Sequence, residues 1–153
     1  MMTVNIKKLN GKAVVPYKSH GDDFCFDLVA TSCEEIAPNV YKYGTGIALQ
    51  VSEQFKSFAR KNSAIVGFDV RPRSSIWKTG MVLSNGVGTI DEGYAGEICA
   101  VFYHVIPTMP KYEVGDRICQ LCAVQTASEI TFVEVEELGE TERGTGGYGS
   151  TGK

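Results

Sequence analysis

Short β-favouring runs, broken every few residues by glycine, proline or asparagine, dominate this chain and leave room for little besides many brief strands. The pattern predicts strands over 3–7, 12–17, 23–30, 43–51, 64–70, 79–84, 96–105, 117–125 and 130–136. In Glu97–His104, residues Ile98, Ala100 and Phe102 share one face, while Cys99, Val101 and Tyr103 share the other. Both faces are largely apolar, so this strand is expected to be central and covered on both sides, by another sheet or by a partner subunit. One helix competes around 52–63. Ser52 is placed to cap it, Glu53 begins it, Arg60 and Lys61 end it, and Phe55, Phe58 and Ala59 recur at helical spacing. Many strands and a single short helix give an all-β class, a sandwich or a partly closed barrel.

A length of 153 residues suits one domain, and 43% hydrophobic with 22% charged residues supports a packed core rather than wholesale disorder. No run of 18 apolar residues offers a spanning helix, and Met1–Lys8 lacks a signal peptide's apolar stretch. A net charge of −3 gives no general attraction for nucleic acid or an anionic membrane, although a few arginines can still make a positive pocket. Five cysteines, an odd number, favour reduced thiols and a cytoplasmic location. Cys119 and Cys122 spell CxxC, but in a strand residues three apart face opposite ways, so buried packing is favoured over a zinc site.

Residues 139–153 differ from the rest: six glycines in fifteen residues and almost no apolar content. The domain is therefore read as 1–138. The tail is read as a flap that orders over a ligand, since Arg143, Tyr148, Ser150 and Thr151 supply a charge, a ring and two hydroxyls.

Polar groups gather beside turns in four places. Pro72-Arg73-Ser74-Ser75 offers a guanidinium fork and two hydroxyls suited to phosphate oxygens, or simply a turn with a capping serine. Asn85–Gly96 begins with Asn-Gly, a strong hairpin signal, and Asn85 carries both a donor and an acceptor for a planar base edge. Asp91 lies at the glycine-rich end of that segment, where a carboxylate can orient and deprotonate a water if nearby phosphate charge is neutralised. Asp116-Arg117 ahead of Gln120 reads as a structural ion pair, with Gln120 on the face of Ile118 and Cys122. The run from Arg143 to Gly152 has the composition of a phosphate cradle but lacks GxxxxGK[ST], which disfavours P-loop hydrolysis. A two-carboxylate glycosidase using Asp91 with Glu92 or Glu97 has nothing to fix the pair's separation.

In this order, Asp27-Leu28-Val29-Ala30, PRSS at 72–75 with Lys78 and Gly80, NGVGTIDEGYAG at 85–96, GDRICQL at 115–121 and RGTGGYGSTG at 143–152 resemble the five motifs of the trimeric deoxyuridine triphosphatase (dUTPase) family. The resemblance implies a distorted jelly-roll (β-clip) fold, assembled as a homotrimer whose active sites are shared between subunits. It implies hydrolysis of dUTP to dUMP and pyrophosphate with Mg²⁺, limiting uracil incorporation into DNA and supplying dUMP for thymidylate synthesis. Asp91 matches the residue that activates water at the α-phosphorus. Asn85, with Gly88 and Ile90 of the same segment, matches the uracil-holding positions, and Tyr94 the ring beneath the deoxyribose. Arg73, Ser74, Ser75 and Gln120 match phosphate-contacting positions; Arg143, Gly149, Ser150 and Thr151 would close on the outer phosphates, with Tyr148 stacking over uracil. Asp27 matches a carboxylate that touches the metal indirectly, through water.

The chain departs from the family at Phe24-Cys25 ahead of the first motif, at Trp77, and in residues 52–63, which read as an insertion. The related dCTP deaminases need a glutamate about ten residues past the aspartate, where this chain has Val101. A binding module without turnover is the other alternative, and Asp91 argues against it.

Overall fold

The computed structural model describes residues 2–137. Ten strands, one helix and one 3-10 turn follow in the order β1 (Val4–Lys8), β2 (Phe26–Val29), β3 (Ser32–Ala37), β4 (Val40–Gly44), β5 (Ile47–Val51), α1 (Glu53–Lys61), β6 (Ala64–Pro72), the 3-10 turn Ser74–Lys78, β7 (Met81–Leu83), β8 (Gly88–Ile90), β9 (Cys99–His104) and β10 (Arg117–Ala127). Two four-stranded sheets, ordered β2-β10-β6-β8 and β3-β4-β9-β7, are joined by the pair β1-β5. Their pairings are all antiparallel. Leu28, Phe68, Val70 and Leu121 of the first sheet share one core with Tyr43, Leu83, Ala100 and Phe102 of the second. This is the expected jelly-roll-like sandwich.

Several strand expectations need correction. Residues 43–51 are not continuous, because Gly46 at φ +67 turns the chain between β4 and β5, which lie in different sheets. Of 12–17 only a single bridge from Tyr17 to Asp27 forms, and 23–30 shrinks to β2. Strand β3 escapes the hydrophobic pattern because it lies at a sheet edge and carries Glu34 and Glu35 on exposed positions. Residues 130–136 are not a strand: no neighbour among the described residues pairs with them, and Phe132 is 92% exposed. The Asn85-Gly86 turn is not a hairpin either. It joins β7, paired to β9, with β8, paired to β6, and so crosses between sheets.

Helix α1 forms where expected, with the Phe55 amide donating to the Ser52 hydroxyl at 3.3 Å. Ala59 and Lys56 are buried and Phe55 half-buried, but Phe58 is exposed, since adjacent positions sit about 100° apart around a helix and Ala59 takes the docking face. Strand β9 lies between β4 and β7, as a central strand should. Ile98, Ala100 and Phe102 are buried, whereas Tyr103 on the other face is 47% exposed within this one chain. Cys119 and Cys122 are both buried, in keeping with a packing role. No helix among the described residues is long and apolar enough to cross a membrane.

Candidate active site

The first polar cluster grows from the first sheet. Register places Gln120 of β10 between Asp27 of β2 and Arg71 of β6, so the three side chains share one face. Asp27 is buried. Arg73 Nε donates to its Oδ1 at 3.0 Å, Arg117 Nη1 donates to its Oδ2 at 2.9 Å, and the Ser19 hydroxyl donates to Oδ2 at 3.3 Å. Burial pushes the Asp27 carboxyl up, but the Arg73 and Arg117 guanidinium groups outweigh it and hold the group below the usual aspartate range. Arg73 Nη1 also donates to the Ser75 hydroxyl at 3.2 Å. Arg73 itself occupies the capping position of the 3-10 turn, and Ser74 opens that turn, exposed to solvent. The anticipated Asp116–Arg117 pair does not form. Asp116 belongs to the turn before β10, where its Oδ2 accepts from the Glu113 amide at 2.8 Å, while Arg117, the first residue of β10, reaches Asp27. Sequence reasoning missed Arg117 and Ser19 as parts of this cluster. No local pattern signalled Arg117: strand alternation sends a residue three before Gln120 to the opposite face, and the register shift between Arg117 and Cys119 in the β10–β2 pairing interrupts that alternation.

The second cluster follows β7. Gly86, at φ +66, allows the tight turn that turns Asn85 outward, and Asn85, Gly88 and Ile90 line a cleft of about 140 Å³ with Leu83 and Val101. Beyond Ile90 the backbone turns again: the Tyr94 amide donates to the Asp91 carbonyl at 3.0 Å. Asp91 is exposed at the first position of this turn. The Tyr94 ring folds back over Gly96, where a Cβ would come within 2.5 Å of its hydroxyl, and that hydroxyl donates to the Glu97 carbonyl at 2.9 Å. The ring is thereby fixed, and Tyr94 remains 45% exposed.

These clusters are far apart within one chain. Phe68 pairs with Ile90, so Asp91 lies level with Gly67; Arg73, just past the end of β6, stands six residues further on. At strand rise that separates the two backbone positions by about 20 Å within one chain. Arg143, Tyr148, Gly149, Ser150 and Thr151 lie outside the described residues. For Mg²⁺, no three His, Cys, Asp or Glu side chains among the described residues gather as a ligand set, and both Asp27 oxygens are engaged by arginines and Ser19. The described residues therefore do not form a protein cage for the ion.

A model of the dUTPase family matches residues 12–152. Deoxyuridine 5'-triphosphate nucleotidohydrolases of Nocardia farcinica and Nautilia profundicola are 38% and 34% identical to the chain, covering 97% and 99% of it and 85% and 100% of themselves. The dUTPase of Staphylococcus bacteriophage 80alpha, solved with dUpNHpp, superposes with a TM-score of 0.73 over 99% of each chain at 23% identity. A mutant dUTPase of phage phi11 of S. aureus, solved with attention to a structural Mg(II) ion, gives 0.59 at 19% identity, over 92% of this chain and 99% of its own.

Proposed function

The chain belongs to the dUTPase family and is a hydrolase of that family; from that premise we propose that it cleaves dUTP to dUMP and pyrophosphate, in a homotrimer whose sites are shared between subunits. The observation that carries the shared site is the separation of Asp91 from Arg73 along β6. A substrate seated in the Asn85 cleft of one subunit needs the Arg73 cluster of another. The exposed Tyr103 of β9 and the exposed side chains of Ile130, Phe132, Val133 and Val135 support such self-association.

Asn85 hydrogen-bonds the uracil edge, with Gly88 and Ile90 shaping the cleft, and the fixed Tyr94 ring packs against the deoxyribose, leaving no space for a 2′-hydroxyl. The exposed Asp91 carboxylate accepts a proton from a water that attacks the α-phosphorus in line. The P–O bond to the β-phosphate breaks and pyrophosphate leaves with the bond's electron pair. Arg73, held by Asp27, and the Ser74, Ser75 and Gln120 side chains of the adjoining subunit position the phosphates. Asp27 thus serves the site through its arginines. Mg²⁺, used at the level of the family, would supply charge neutralisation while held by the triphosphate and water. Arg143, Tyr148, Gly149, Ser150 and Thr151 of the tail close over the nucleotide and exclude bulk water. Free cysteines throughout the described chain support a cytoplasmic location.

Deamination of dCTP is disfavoured by two placements. Val101 lines the cleft where that chemistry needs a carboxylate, and Glu97 is turned away, its Oε1 accepting from the Gly46 amide at 2.7 Å. Assaying the purified protein with dUTP, dTTP, dCTP and UTP, with Mg²⁺ and product identification, tests the proposal. Release of dUMP and pyrophosphate from dUTP alone is expected. Ammonia from dCTP, or binding of dUTP without turnover, would overturn it.

A further inference from the structure

We propose that Arg60, on the helix inserted between β5 and β6, is a positioning residue for Asp91, acting through Glu92; this rests on the reading of Asp91 as the water-activating group. Arg60 Nη2 donates to Glu92 Oε2 at 2.5 Å, across 32 residues of sequence. The two partners are unequally placed: the Glu92 side chain is only 9% exposed and that of Arg60 is 53% exposed. The carboxylate is therefore the group removed from water, and Arg60 is the charge that makes its burial tolerable. The other oxygen, Glu92 Oε1, is buried and has no hydrogen-bond partner among the described residues, which leaves Arg60 as the sole ion-pair partner there.

Glu92 occupies the second position of the turn that begins at Asp91 and closes through the Tyr94 amide. Fixing its side chain fixes the turn, and with it the direction in which Asp91 leaves β8. Both anchors of the ion pair are themselves held. Ala59 of α1 is buried next to Arg60, Ser52 caps the helix, and the Asn62 amide donates to the Ala59 carbonyl at 2.9 Å. Strand β6 follows immediately and pairs with β8. Helix, β6, β8 and turn thus form a closed ring in which the Arg60–Glu92 pair is the only side-chain ion pair among the described residues between α1 and the turn. Asp91 and Glu92 together rim a cleft of about 260 Å³ whose wall includes Ile65 and Val124, so an unneutralised Glu92 would have to swing toward water and carry the turn with it.

Steady-state kinetics of the full-length assembly on dUTP test this with Arg60→Ala, Arg60→Lys and, as a control on the same helical turn, Lys61→Ala. Arg60→Ala is expected to lower kcat about 10- to 100-fold with little change in KM, the signature of a misdirected reacting group. Arg60→Lys should recover most of that loss, and Lys61→Ala should match wild type. Should Arg60→Ala fold poorly, the double variant Arg60→Ala/Glu92→Gln removes the stranded charge, and is expected to regain both stability and part of kcat. Wild-type kcat in a folded Arg60→Ala protein, or additive losses in the double variant, would overturn the positioning role. Asp91→Asn run alongside separates the two readings: full turnover there would defeat the assignment of Asp91 itself, whereas its loss beside an unaffected Arg60→Ala defeats the Arg60 inference alone.

Discussion

Arg73 Nε donates to Asp27 Oδ1 at 3.0 Å, tying the segment after β6 to a strand 46 residues earlier. With Arg117 on the second oxygen, the buried carboxylate is satisfied by charge on both sides. The Asp27 carboxyl is held below its ordinary range, so its stabilising contribution is fully present above about pH 4, the unfolded value, and is lost as pH falls through the lower folded value. Asp27→Asn is therefore expected to destabilise the protein at pH 7, with the difference from wild type shrinking under acid. Chemical denaturation of both proteins between pH 7 and pH 3 measures this; a gap that widens toward pH 3 would contradict it.

Asp91→Asn and Arg73→Ala should each abolish most turnover, by about 10²–10⁴-fold in kcat for the first, with substrate binding retained. If a site takes Asp91 and Arg73 from different subunits, co-assembling the two inactive variants in equal amounts restores intact sites. Random mixing leaves about a quarter of sites with both groups native, and activity should recover to about that fraction. A mixture as inactive as its components would place both residues in one subunit's site.

Gly67 faces the Ile90 carbonyl so closely that a Cβ would lie 2.8 Å from its oxygen. Gly67→Ala must then push β8 away from β6 immediately before Asp91. A loss of about 1–3 kcal/mol in stability is expected, with a fall in kcat exceeding that in the control Lys61→Ala. Unchanged melting temperature and kcat would show that the edge strand yields freely.

Removal of residues 143–153 should leave the number of subunits in the assembly unchanged while lowering kcat/KM by about two orders of magnitude, because the segment's composition suits ligand capture rather than core packing. Light scattering and dUTP kinetics on the truncated protein give both quantities. Full activity without the tail would exclude a catalytic flap.

The sequence by itself determined the all-β class, the capped helix at 53–61, and the segments that carry polar chemistry, because these depend on period, composition and local turn chemistry. The sequence groups Asn85, Asp91 and Tyr94 only because one short segment holds them. Only the tertiary structure decided what distance in sequence conceals. The Asn-Gly turn crosses between sheets instead of closing a hairpin, since pairing partners are chosen by the whole sandwich and not by the turn. Arg117 meets Asp27 across the sheet, while its neighbour Asp116 is held in the preceding turn by the Glu113 amide. Helix α1 reached the turn after Asp91 through Arg60 and Glu92, a meeting that no local pattern encodes. A long-range contact is fixed by strand register and burial, and those become defined only when every strand has found its partner.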